Sequence, residues 1–166
     1  MKMRIAMLGA VALLAAACQR EVGKLAEFSG HLFVFNYRLS KANYVVTLRT
    51  TAPLPEGGVA IARFENPRGG DMLVSEAKLF PKMEKIVLES PDLQCVREGR
   101  SYAVKIDLAD AQGKIVQQLE TKVLATIDQS ILPANSIVVG PAYDMNPKVF
   151  KAGGVVDLSP VQDCPA

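Results

Sequence analysis

The 166-residue chain has no tryptophan, a single histidine (His31) and three cysteines (Cys18, Cys95, Cys164). With one imidazole, a nucleophile activated by histidine can be built only around His31. No G-x-S-x-G elbow occurs, no S-x-x-K opens a helix, and the paired glycines at Gly57, Gly69 and Gly153 follow no phosphate-loop spacing. Met72, Met83 and Met145 lie far apart without M-x-x-M or H-x-M spacing, so they suit gap-filling in a core better than copper handling. The phrase "DLADAQG" (Asp107–Gly113) has acidic residues, but Ala109 and Ala111 occupy alternate positions where a calcium loop requires oxygen ligands. No run of like charge marks a nucleic-acid or anionic-lipid patch. These absences leave no metal, no cofactor and no catalytic residue to assign. A Cys95–His31 pair is the one nucleophilic arrangement available, and neither residue lies in a nucleophile context.

The N-terminus carries a different kind of information. Lys2 and Arg4 precede the uncharged run Ile5–Ala17, which at 13 residues is too short for a bilayer span of about 20. A basic start, a short apolar centre and small residues at the end predict a secretory signal peptide over 1–17. Leu14, Ala15, Ala16 and Ala17 lead directly into Cys18, and this order resembles the lipobox of bacterial lipoproteins. The resemblance implies cleavage between Ala17 and Cys18 and lipid attachment at Cys18. Acyl chains contribute about 0.8 kcal/mol per buried methylene, and several together hold a protein on a membrane. Gln19 stands where enteric lipoproteins retained in the inner membrane often carry Asp, so the resemblance implies the outer membrane, facing the periplasm.

Processing changes the remaining arithmetic. Of 19 Lys and Arg, two lie in the signal, leaving 17 against 17 Asp and Glu. Cys95 and Cys164 become an even remainder, which in an oxidising compartment reads as one disulfide. Residues 18–27 are short and polar, and predict a lipidated tether.

From Phe28 the pattern has period two. "HLFVFNYRL" sets His31, Phe33 and Phe35 against Leu32, Val34 and Asn36, and "NYVVTLRT" puts Tyr44, Val46 and Leu48 on one face. "VAIARFE", "MLVSEAKLF" and "EKIVLES" follow, separated by Pro, Gly and Asn, and "SYAVKIDLADAQGKIVQQLETKV" reads as a long hairpin with Gly113 in its turn. In this setting His31 predicts a packed or edge histidine. About seven strands with turns every 8–12 residues predict an all-β, immunoglobulin-like or fibronectin-like β-sandwich over 28–126. Val96, Gly99 and Tyr102 keep the spacing of a tyrosine corner. The segment 127–166 has too many breakers for a long helix, and predicts a C-terminal extension packed on the sandwich, with "SIVVG" and "GVVDL" as candidate edge strands.

The phrases "PLPEGGVAIARFEN" and "KIVLESPDLQCVREGRSYAVKIDLADAQGKIV" resemble the small β-sandwich lipoproteins related to type III secretion pilotins. The residues that carry the likeness are Leu54, Pro55, Gly57, Gly99, Tyr102, Ala103, Val104, Gly113 and Lys114. It spans roughly the central half of the mature chain; the N-terminal hairpin, the long tail and the cysteine pair depart from the family pattern. In that family the role is to escort a secretin to the outer membrane. The expectation is thus a non-catalytic envelope lipoprotein binding a protein partner, with periplasmic small-ligand or metal binding as the alternative. Neither involves nucleic acid.

Overall fold

The computed structural model describes residues 23–165. Alternation of apolar and polar residues builds seven main strands: β1 (Ala26–Asn36), β2 (Lys41–Thr50), β3 (Val59–Phe64), β4 (Leu73–Lys78), β5 (Lys85–Glu89), β6 (Ser101–Ala109) and β7 (Ile115–Leu124). They form two antiparallel sheets, in the orders β1-β2-β5 and β4-β3-β6-β7. In the constant-type immunoglobulin arrangement the fourth strand joins the first, second and fifth. Here it pairs with β3 instead, which is the fibronectin-like variant of the sandwich.

The core lies between the inner faces. Tyr44, Val46 and Leu48 of β2, Ile86 and Leu88 of β5, and Phe64, Tyr102, Val104, Ile106 and Leu108 from the other sheet are all essentially inaccessible. Each large aliphatic or aromatic side chain contributes about 1.5–3 kcal/mol on burial. In the absence of tryptophan, an aromatic cluster fills the centre: Tyr44 stacks on Phe64 at 5.5 Å, and Phe33 lies 4.5 Å from Tyr44 and 5.7 Å from Tyr102. The Tyr44 hydroxyl donates to the Glu65 carbonyl at 2.9 Å, so its polar end is satisfied while burial raises its pKa.

The β6–β7 turn shows why "DLADAQG" is a turn. Asp110 Oδ1 accepts from the N–H groups of Gln112 and Lys114 at 3.0 and 2.9 Å, and Gly113 takes a φ of +79°.

Two boundaries differ from the sequence expectation. Strand β1 starts at Ala26, so the last two residues of the expected tether belong to the sheet; the side chain of Gln117 on β7 bonds both the N–H and the carbonyl of Ala26. The tail adds no strand to either main sheet. In "SIVVG", β8 (Val138–Val139) pairs with β9 (Asp144–Met145), and "GVVDL" forms only a single bridge, Val156 to Phe150. Leu132 and Val149 are buried, and the Ile137 N–H donates to the Arg38 carbonyl at 3.0 Å, seating the tail on the β1–β2 turn. Among the described residues no helix is long and apolar enough to cross a membrane.

Candidate protein-contact surface

Strand parity decides what each sheet shows to solvent. In the three-stranded sheet, the inward set of β2 leaves Asn43, Val45 and Thr47 outside, and β5 leaves Lys85, Val87 and Glu89. Phe33 and Phe35 of β1 turn toward the core, so Leu32 and Val34 turn out. The register places Leu32 beside Val45 and Thr47 beside Val87. Leu32 is 53% exposed, Val34 39% and Val87 56%. The result is an apolar strip in which Leu32 and Val45 pair directly and Val87 lies diagonal to Val45, beside Glu89.

The outer face of the four-stranded sheet is charged at its centre, and its exposed apolar residues Val74, Val116 and Leu124 stand apart on the two outer strands β4 and β7. Asp107 on β6 stands opposite Gln118 on β7, whose Nε2 donates to it at 2.8 Å, and Arg63 on β3 reaches it diagonally from its place opposite Lys105. The Gln118 hydrogen bond, with the Arg63 guanidinium, lowers the Asp107 pKa against the opposing effect of burial. Lys105–Glu120 and Arg100–Glu65 extend the charged pattern. This carboxylate is fully used in cross-strand bonds, with no nucleophile among its partners.

The edges differ in the same way. β7 carries Glu120 and Lys122, β4 carries Glu76 and Lys78, and β5 carries Lys85 and Glu89. β1 has no charge and no proline from Phe28 to its end, and the stretch stays so through Tyr37. Charged residues are the usual guard against unwanted strand pairing. Most of β1 lacks them.

Cys95 and Cys164 form a disulfide, with Cα atoms 5.4 Å apart. The bond ties the tail to the loop before β6, and Gln129 does the same without a covalent link. Gln129 Oε1 accepts from the Val96 N–H at 3.0 Å, Nε2 donates to the Leu93 carbonyl at 2.8 Å, and its own N–H donates to the Val96 carbonyl at 2.9 Å. Two arginines bond the last residues: Arg68 donates to the Asp163 carbonyl at 3.0 Å and Arg97 donates to that of Pro165. A cleft of about 130 Å³ beside the disulfide is smaller than the roughly 300–1,000 Å³ of ordinary ligand sites. An open cleft of about 760 Å³ lies by Gly57, Gly58, Glu76, Lys78 and Phe80.

Tyr102 opens β6 and its hydroxyl accepts from the Arg97 N–H at 2.8 Å, with Gly99 between them at a φ of +76°. This is the hydrogen bond of a tyrosine corner. His31 is an exposed residue on the β1 edge, opposite Val46. Among the described residues no group of three or more His, Cys, Asp or Glu is placed to hold a metal ion. Ala17 and Cys18, the expected cleavage and lipid-attachment positions, lie outside the described residues.

The apolar strip was half visible in the sequence. "HLFVFN" is apolar at Leu32 and Val34 as well as at Phe33 and Phe35, and a strand buried on one side needs only one such set. Val87 and Val45 gave no comparable sign. Gln129 was not singled out, because an isolated glutamine has no pattern.

No family model matches the chain, and no curated protein sequence is similar to it. Among solved structures, wild-type OgpA from Akkermansia muciniphila aligns with a TM-score of 0.38 at 12% identity, over 65% of this chain and 30% of that one. A catalytically inactive OgpA in complex with an O-glycopeptide (glycodrosocin) aligns with a TM-score of 0.37 at 12% identity, over 69% of this chain and 33% of that one. The chain therefore spans about a third of the length of these structures. At this level of likeness no activity passes from those proteins to this one.

Proposed function

We propose that the chain is a non-catalytic lipoprotein of the cell envelope, anchored through Cys18, that binds a protein partner at the periplasmic face of the outer membrane. The observation that carries the reading is the grouping of exposed apolar side chains on the outer face of the three-stranded sheet, where Leu32 lies directly beside Val45. Leu32, Val34, Val45 and Val87 stand together there, with the Arg49–Glu27 ion pair beyond them, whereas the exposed Val74, Val116 and Leu124 of the other sheet are separated by Arg63, Lys105 and Asp107. Contiguous exposed apolar surface on a folded domain marks an interaction site more often than chance exposure does. The cysteine pair suits an oxidising compartment, and the lipobox-like N-terminus supplies the address. A pilotin-like escort role is one form such binding takes.

The test is photo-crosslinking in intact cells from the full-length, lipid-anchored protein. A photoreactive residue at Val87 is expected to capture one abundant envelope protein, and the same residue at Lys105 on the charged face is not. Cys18→Ser is expected to weaken the capture. Equal labelling from both faces, or none from either, would overturn the proposal. In that event a small ligand in the cleft by Gly57 and Phe80 becomes the next reading to test.

A further inference from the structure

We infer that the β1 edge pairs with β1 of a second copy of this chain, antiparallel about a two-fold axis at Phe33, so that two three-stranded sheets become one of six strands. It takes Leu32 and Val34 out of the strip described above and leaves Val45 and Val87 to a partner.

Strand β1 is an 11-residue edge strand bonded to β2 on one side. Its other side meets the Gln117 side chain at Ala26. From Gly30 to Phe35, no described residue outside β2 hydrogen-bonds its backbone. An unpaired edge of this length, uncharged and without proline, is a template for another strand.

The sequence of β1 is suited to itself. In a continuous sheet, outward residues must oppose outward residues and inward ones inward ones. A two-fold axis through Phe33 meets this condition. It sets Leu32 of each copy opposite Val34 of the other on the outer face, and His31 opposite Phe35 on the inner face. The two outward apolar side chains of the edge, 53% and 39% exposed, then cover each other. No like charges meet, because Phe28–Tyr37 has none. Closed two-fold pairing of this kind is the commonest symmetry of soluble oligomers. It also doubles the apolar strip, since Val45 and Val87 of both copies then flank the central pair.

The test uses the full chain. Directly opposed residues have Cβ atoms about 4.5–5.5 Å apart and diagonal ones about 7–8 Å, while a disulfide needs roughly 3.5–4.5 Å. Leu32→Cys and Val34→Cys, carried on chains of different tag size and co-expressed, are expected to give a mixed covalent dimer. Its yield should exceed that from either variant alone at least about tenfold. Sedimentation of the detergent-solubilised wild type is expected to show twice the chain mass, and Val34→Lys the single mass with an unchanged Tm. If Val34→Lys fails to fold, the crosslinking comparison still decides. A wild-type monomer, equal yields from all three combinations, or capture of a different protein at these positions would overturn the inference.

Discussion

The side chain of Gln129 is the point at which the tail is fixed to the sandwich, and its replacement gives a sharp test. It is only 9% exposed and satisfies one buried N–H and one buried carbonyl, at Val96 and Leu93. Gln129→Met keeps the length but leaves both backbone groups without partners. At about 1–3 kcal/mol for each orphaned buried group, the loss is about 2–6 kcal/mol. Gln129→Glu separates the two bonds by pH. A protonated carboxyl can accept from Val96 and donate to Leu93, restoring both. An ionised one still accepts from Val96 but sets a negative charge against the Leu93 carbonyl in a site closed to water. The folded protein therefore favours the neutral acid, and the pKa of the introduced carboxyl rises above its unfolded value of about 4.3. For an acid with a raised folded pKa, the unfolded state loses its proton first. Stability relative to wild type then falls as pH rises above the unfolded value, by up to about 1.4 kcal/mol per unit, until the folded value is reached. Urea unfolding followed by far-UV circular dichroism, which needs no tryptophan, reads the difference. At pH 4 Gln129→Glu is expected within about 1 kcal/mol of wild type, and at pH 7 about 2–4 kcal/mol below it, while Gln129→Met loses a similar amount at both. A Gln129→Glu protein as stable as wild type at pH 7, or a Gln129→Met loss below about 0.5 kcal/mol, would refute the reasoning.

Replacing both Cys95 and Cys164 by serine opens a link with a sequence separation of 69, for which loop-closure entropy gives about 4 kcal/mol of lost stability. Limited proteolysis should also cut the tail beyond Gln129 sooner than the sandwich. Tyr102→Phe removes the acceptor for the Arg97 N–H and is expected to cost about 1–2 kcal/mol in chemical denaturation, with the fold retained. Asp107 has a lowered pKa through Gln118 and Arg63, so its contribution is present above the unfolded value of about 3.9 and lost as pH falls through the folded one. Asp107→Asn should therefore flatten the loss of stability on acidification below about pH 4, measured as Tm against pH. A slope equal to that of wild type would count against the assignment.

Local chemistry in the sequence determined the seven strands, their inward faces and the turn at Gly113, because period-two burial leaves a mark in every strand. The tyrosine corner was legible from Gly99 and Tyr102, and its bond from the Arg97 N–H to the Tyr102 hydroxyl spans only five residues. With Cys18 set aside, the even remainder of two cysteines was enough to pair Cys95 with Cys164. Other features depend on which strands become neighbours, which local pattern does not encode. Assignment of β4 to the second sheet left β5, with Val87, at an edge, and the register across β1, β2 and β5 gathered Leu32, Val45 and Val87 from separate segments into one strip. The same holds for Gln129, whose two side-chain partners lie 33 and 36 residues away. Its value comes from burial beside unpaired backbone groups, and that environment exists only once the tail has folded back onto the sandwich.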